Sequence, residues 1–226
     1  MPSCQKFEKE SLMRLLFKVN ENSGMLTIVR ASFRSLNIKN IWIFTLYNEI
    51  KMNEKIENCL MDDADNILSL YQSARDLQTS KAMVVWPMFE KSFIAKEINE
   101  LRQWKLVIEE IIVCNWAITF SDKEIWEEKD KSDSIYIHRI ATNPAFRGNR
   151  YIHKIVQWAR EYAKQNGKQF VRLDTLGDNT KLIEHYTSAG FQFLGMFELT
   201  DTSNLPGHYQ KEPNCCLFEI DLAEKE

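Results

Sequence analysis

The stretch IATNPAFRGNRYIHKIVQWAREYA, residues 140–163, decides the fold. It continues SIYIHRIAT (Ser134–Thr142), whose β-branched and aromatic residues compose a strand. Asn143-Pro144 ends that strand, because proline has no N–H to give to a ladder. Beyond Arg147-Gly148-Asn149, apolar residues recur at Ile152, Ile155, Val156, Ala159 and Ala163, one face of an amphipathic helix. A loop that delivers backbone N–H groups to a helix N-terminus is a ready anion site. Arg147 and Arg150 add fixed charge that suits a pyrophosphate.

Downstream, Gly167 closes the helix, and FVRLDT (Phe170–Thr175) reads as a strand parallel to 134–142 through a right-handed crossover. Gly177-Asp178-Asn179 breaks it and caps a helix over Thr180–Ala189, which Gly190 ends. FQFLGMFEL and CCLFEIDL are the last two strands, separated by a Pro/Gly-containing loop, Asp201–Pro213. Upstream, EKIENCL (Glu54–Leu60) alternates as a first strand should. Asp62, Asp63 and Asp65 then precede a helix carrying Ile67, Leu68, Leu70, Tyr71 and Ala74. After the break at Trp86-Pro87 comes a second helix with Phe89, Phe93, Ile94 and Ile98. WKLVIEE and IIVCNWAITF form a hairpin that turns near Glu109–Ile111. The acidic run SDKEIWEEKDKSD (Ser121–Asp133) reads as a solvated loop, with a lure for cationic amines as its functional alternative.

The 226 residues suit one domain, or one domain plus an extension, and 44% hydrophobic residues allow a sizeable core. A net charge of −3 leaves no basic footprint for nucleic acid, and no apolar run approaches a membrane span. Five scattered cysteines without a CxxC pair point to reduced thiols in a cytoplasmic protein, and four separated histidines point to no metal. Residues 1–51 differ from the rest: eight Lys/Arg face four Asp/Glu there, and no cofactor motif appears. MLTIVRASFRSL and NIWIFTLYNEI could be strands. Met52 opens the remainder, 52–226, so 1–51 is either a dispensable extension or start-site artefact, or an extra hairpin packed on the domain.

The order strand, NPAFRGNRYI, helix, FVRLDT, then NTKLIEHYTSAGF resembles the GNAT superfamily of acyl-CoA-dependent N-acetyltransferases. That family carries Arg/Gln-x-x-Gly-x-Gly/Ala at the loop-to-helix junction, then a strand, an Asn, and a Tyr shortly before Gly-Phe. Arg147, Asn179, Tyr186 and Gly190-Phe191 fit, whereas Arg150 and Ile152 stand in place of the two glycines. Glycine lets backbone approach phosphates closely, so the loop either binds CoA with changed geometry or binds it weakly. The resemblance covers about 170 residues, from near Met52 onward. It implies an α/β fold, a twisted mixed β-sheet of about seven strands with about four helices.

It also implies acetyl-CoA as co-substrate, held by Ile140, Ala141 and Thr142 on the strand edge, by the loop Arg147, Gly148, Asn149, Arg150, Tyr151 and Ile152, and by Asn179. Tyr186 is the implied general acid, since a phenol has a proton to give at neutral pH. The alternatives are a core-capping tyrosine for Tyr186 and a plain N-cap for Asn179. For the base, His138 and Asp174 are candidates beside deprotonation through water; strand alternation places His138 on one face with Tyr136 and Ile140. Trp86, Phe89, Tyr136 and His208 are candidates for the acceptor side, Trp86, Phe89 and Phe93 having plain core packing as their alternative. The acceptor is a small-molecule or peptide amine, and a homodimer is left open. Two rival readings remain: a non-catalytic acyl-CoA-binding or sensing module, and an enzyme using a longer acyl-CoA or a hydroxyl acceptor.

Overall fold

The computed structural model describes residues 17–20, 25–28, 53–130 and 133–223. The chain divides into two units, Met1–Lys51 and Met52–Glu226. In the first, β1 (Phe17–Asn20) and β2 (Met25–Ile28) pair antiparallel, from Phe17↔Ile28 to Asn20↔Met25. The strand expected over NIWIFTLYNEI lies outside the described residues.

The second unit is built on one seven-stranded mixed sheet. Its strands are β3 (Glu54–Asn58), β4 (Gln103–Ile108), β5 (Ile111–Thr119), β6 (Ser134–Thr142), β7 (Phe170–Leu176), β8 (Gln192–Glu198) and β9 (Asn214–Asp221), in the spatial order β3-β4-β5-β6-β7-β9-β8. β4 and β5 join through Glu109 and Glu110, both in the left-handed region (φ 48° and 64°), as a two-residue hairpin turn requires. The parallel pair is β6–β7, as the crossover helix between them dictates.

Four longer helices occupy the expected places: α1 (Ala64–Ser80), α2 (Lys91–Asn99), α4 (Ile152–Gln165) and α5 (Thr180–Ser188). Two one-turn helices, α3 (Lys123–Trp126) and α6 (Gly207–Lys211), fall inside segments read as loops. The acidic run is therefore not simply solvated. Ile125 and Trp126 are buried and pack with Tyr136, Leu199, Cys215 and Leu217.

The apolar stripe of α4 lies on one face of the sheet, where Ile152, Ile155, Val156, Ala159 and Ala163 meet Trp116, Ile118, Ile135 and Ile137. Burying each large aliphatic side chain contributes about 1.5–3 kcal/mol. α1 and α2 cover part of the other face, with Ile67, Leu70 and Tyr71 against Ile94, Ile98 and Ala141.

One irregularity in β6 shapes everything above it. Ala117 pairs with His138 but Asn115 pairs with Ala141, so Arg139 and Ile140 together oppose Trp116. Arg139 takes φ +51°, a bulge in the left-handed region. The extra residue reverses the alternation, so Ile140 packs with Ile135 and Ile137 on the α4 face while Tyr136 lies on the other. Simple period-two counting, which put Tyr136, His138 and Ile140 together, fails at this bulge.

Candidate active site

β6 and β7 begin as neighbours and then part. Their pairing runs only from Ser134↔Phe170 to Tyr136↔Arg172, after which β7 stays paired with β9 while β6 has no partner on its β7 side among the described residues. A cavity of about 620 Å³ opens there. Ile140, Ala141 and Thr142 line it from β6, and Leu173, Asp174 and Thr175 from β7. The widening leaves main-chain groups of β6 facing the cavity, an edge to which an extended ligand can pair.

At one end of the cavity the chain passes from β6 into α4. Asn143 caps a short turn, Pro144–Phe146, by accepting from the Ala145 N–H at 3.1 Å. Arg147 lines the cavity and donates to the Ser73 carbonyl of α1 at 2.9 Å. The next residues answer the question raised by the missing glycines. Gly148 has φ +86° and Arg150 has φ +53°, so Arg150 holds the left-handed backbone that a glycine would adopt freely. An L-residue there costs about 1–2 kcal/mol. Ile152 turns its side chain into the core, at 4% exposure, and Tyr151 is buried beside it. The amides of Gly148 to Ile152 have no hydrogen-bond partner among the described residues, as expected of an open helix N-terminus. Asn149 donates its side-chain amide to the Phe146 carbonyl.

Tyr186 reaches the same cavity from α5. Its ring packs on Phe191 and Phe218, at centroid distances of 6.0 and 5.3 Å. Its hydroxyl makes no hydrogen bond among the described residues, and burial, then the Asp174 charge, raise its pKa, keeping the proton on oxygen. This is not a tyrosine tied off on backbone. Asn179 is the N-cap of α5, its side-chain oxygen accepting from the Leu182 N–H at 3.2 Å, and it is not among the cavity-lining residues.

The cavity also combines an apolar wall with buried polar groups. Trp86 and Phe89 line it, with Phe93 stacked on Phe89 at 5.7 Å. His138, Asp174, His208 and Tyr209 line the same cavity. The Tyr209 hydroxyl donates to Asp174 Oδ2 at 3.0 Å, and His138 Nε2 lies 3.1 Å from Thr119 Oγ1 and 3.7 Å from Asp122 Oδ2. Atoms of Asp122, His138 and Asp174 lie within 4.8 Å of one another, close enough to hold a metal ion, a grouping that the spacing of the histidines gave no sign of. Burial lowers the His138 pKa to about 3, so the ring is neutral at pH 7. Burial raises Asp174, and burial and then the Asp174 charge raise Asp122: two carboxylates this close hold a proton more tightly than either alone. Burial also lowers His208 to about 4.

Tyr136 does not reach the cavity. It is fully buried, with its hydroxyl donating to Asp130 at 2.6 Å and accepting from Arg172 at 3.1 Å, because it precedes the bulge and faces α3. Of the other residues singled out from sequence, Trp86, Phe89, His138, Arg147, Asp174, Tyr186 and His208 share one cavity with the 140–142 edge. Sequence reading missed Asp122, Arg139 and Thr119. Asp122 was hidden in a run of charges, and Arg139 by the unforeseen bulge.

Residues 116–191 match the model of the acetyltransferase (GNAT) family, a span that includes the strand parting, the α4 loop and Tyr186. Over that span the chain is similar to the GNAT acetyltransferases. Among curated relatives, it is 31% identical over 74 residues to the uncharacterized N-acetyltransferase YesJ of Bacillus subtilis, a match covering 33% of this chain and 41% of YesJ. It is 28% identical over 189 residues to the uncharacterized N-acetyltransferase MJ1207 of Methanocaldococcus jannaschii, covering 79% and 76% of the two chains. The fold is similar to that of yncA from Salmonella typhimurium, solved with its cofactor acetyl-CoA (TM-score 0.55, 14% identity, 76% of this chain and 95% of that one). No helix among the described residues is long and apolar enough to cross a membrane.

Proposed function

We propose that this chain transfers an acetyl group from acetyl-CoA to the primary amine of a small molecule or peptide by direct attack, within residues 52–226. The observation that carries the reading is the parting of β6 and β7 onto a cavity that Arg147, the 140–142 edge and Tyr186 all line. Acetyl-CoA supplies an activated thioester. The open amides of Gly148 to Ile152, with Arg147 and Arg150, bind its pyrophosphate. The free edge of β6 orients the pantetheine arm, and an N–H among Ile140, Ala141 and Thr142 polarises the thioester carbonyl, a contribution of roughly 10²–10³ in rate.

Asp174 takes a proton from the ammonium group of the acceptor, with neutral His138 beside it. Nitrogen then bonds to the carbonyl carbon as the carbon–sulfur bond breaks. The departing sulfur takes the Tyr186 proton, and the second amine proton leaves through water. Asn179, engaged by Leu182 through its oxygen, offers only its side-chain amide to the cofactor.

The test is thiol release from acetyl-CoA in the presence of amines, comparing the native chain with Tyr186→Phe. Turnover that falls at least about 100-fold, with cofactor affinity held, supports the assignment. Equal turnover in the variant removes Tyr186 from the mechanism.

A further inference from the structure

The bulge in β6 does more than change parity. In an unbroken strand His138 and Arg139 would point to opposite faces, yet both line the cavity. Arg139 takes φ +51° at the bulge, a left-handed backbone that disfavours any residue with a Cβ, and bulges re-aim side chains in this way. The strained residue is the one that brings a guanidinium to the cavity wall.

The protein answers that charge only in part. Glu97, 2% exposed, accepts from Arg139 on both oxygens at 2.6 Å, but both bonds leave from one nitrogen, Nη2. The same carboxylate accepts from Arg102 at 2.7 Å and from the Gln103 amide at 2.8 Å. One buried carboxylate thus serves two guanidiniums, and Glu100 pairs with Arg102 alone of the two. Nε of Arg139 is buried without a hydrogen-bond partner, and a buried donor left unmade carries its full desolvation cost. Burial opposes the charge of Arg139, but Tyr71 and Glu97 outweigh it, so the guanidinium stays protonated. Its field reaches the neighbouring residue: after burial, Arg139 and Arg102 are what hold His138 neutral.

The surroundings define what this cation can meet. Its guanidinium carbon lies over Phe89 and Phe93, at 5.6 and 5.2 Å from the ring centroids. Tyr71, Trp86 and Phe89 lock one another edge-on or tilted, at centroid distances of 5.1–6.4 Å, so the apolar wall has a fixed shape. Arg147, the other cation lining the cavity, donates to the Ser73 carbonyl, and the lining acids are Glu90 and Asp174. Asp174 offers an oxygen within 4.8 Å of the ring of His138, the residue before Arg139. An acid, a guanidinium and an apolar wall therefore line one cavity, the set that meets an ammonium group, a carboxylate and an apolar side chain.

We propose that the acceptor is an α-amino acid with an apolar side chain, and that Arg139 is the specificity-determining residue that takes its carboxylate. The ammonium group then lies against Asp174 and the side chain against Trp86 and Phe89. This rests on the acetyl-transfer reading for the reaction, and on the cavity alone for the binding preference. A carboxylate on a guanidinium away from water makes charge-assisted hydrogen bonds, about twice as strong as neutral ones. An amine lacking the carboxylate leaves the guanidinium unanswered, the kind of difference that a hydrogen-bonding site discriminates most strongly.

The experiment uses the full chain and probe sets differing in one group: phenylalanine, phenylalaninamide and phenethylamine, then leucine, leucinamide and isopentylamine. Binding is measured by calorimetry and turnover by thiol release from acetyl-CoA. Each amino acid should exceed its amide and its amine by at least about 100-fold in kcat/KM, mostly through KM. Arg139→Met should raise KM for phenylalanine at least about 30-fold, leaving KM for phenethylamine and the affinity for acetyl-CoA unchanged. Arg139→Lys keeps the charge and should restore part of the lost preference, which a merely structural tie to Glu97 would not do. The probe sets on the native chain decide the question even where Arg139→Met fails to fold. Equal use of phenylalanine and phenethylamine overturns the proposal, as does a preference that survives Arg139→Met. So does binding of none of the six probes. Acetyl transfer without regard to the carboxylate sinks the acceptor class and spares the transferase reading. Selective binding of the amino acids without thiol release does the reverse.

Discussion

The two ends of the cavity are made in different ways. The proposed cofactor end is one contiguous run, from Ile140 on β6 through the loop to Ile152 on α4, so neighbours in sequence are neighbours in space. The proposed acceptor end gathers His138 from the middle of β6, Asp174 from β7, and His208 and Tyr209 from α6, with aromatics from between α1 and α2. Asp122 at the start of α3 lies within 4.8 Å of His138 and Asp174. A contiguous site tolerates altered side chains as long as its backbone path survives. An assembled site depends on side chains whose meeting is fixed only by the tertiary fold.

That contrast predicts where substitutions bite. The largest effect is expected where the two ends meet. Tyr186→Phe should reduce kcat by about 10²–10⁴ with acetyl-CoA affinity unchanged, as read by single-turnover kinetics and calorimetry. Asp174→Asn at the acceptor end should reduce kcat by about 10–100-fold and move the pH dependence of kcat/KM; a profile of unchanged shape would remove Asp174 as the base. At the cofactor end, Arg147→Ala should weaken acetyl-CoA by about tenfold, a loss of one charge-assisted contact, with little change in the unfolding temperature because Arg147 is exposed.

A pH scan of stability separates the ends further. The folded state raises Asp122 from 3.8 towards about 8, so it holds the protonated form more tightly than the unfolded chain does. The contribution is therefore complete below pH 3.8 and is lost as pH rises towards 8. Asp122→Asn should flatten this fall and make the protein more stable than the native chain near pH 8, as measured by urea unfolding. The smallest effect belongs to Arg150→Gly, which relieves a left-handed arginine and should change stability by about 1 kcal/mol or less, with the loop path intact.

The fold was largely legible in sequence, because its signals are local. The stripe Ile152 to Ala163, the glycines at 167, 177 and 190, and the β-branched run 134–142 each specify an element without reference to anything distant. The insertion of β9 between β7 and β8 was not legible, since nothing in CCLFEIDL names its neighbours. At the site, Arg147, Tyr186 and the 140–142 edge could be found because they belong to the contiguous run or follow it closely. Tyr136 was misplaced and Arg139 overlooked for one reason: a bulge shifts parity without leaving a glycine or proline to mark it. Asp122 was missed because charges in SDKEIWEEKDKSD look alike on paper, and only burial distinguishes the one that faces His138.

The claim on which the rest depends is that a loop with Arg150 and Ile152 in place of glycines still cradles a pyrophosphate. Calorimetric titration of the full chain with acetyl-CoA tests it directly. The account predicts saturable one-to-one binding at about 10 µM or tighter, weakened by Arg147→Ala. No heat of binding up to about 1 mM cofactor would contradict it.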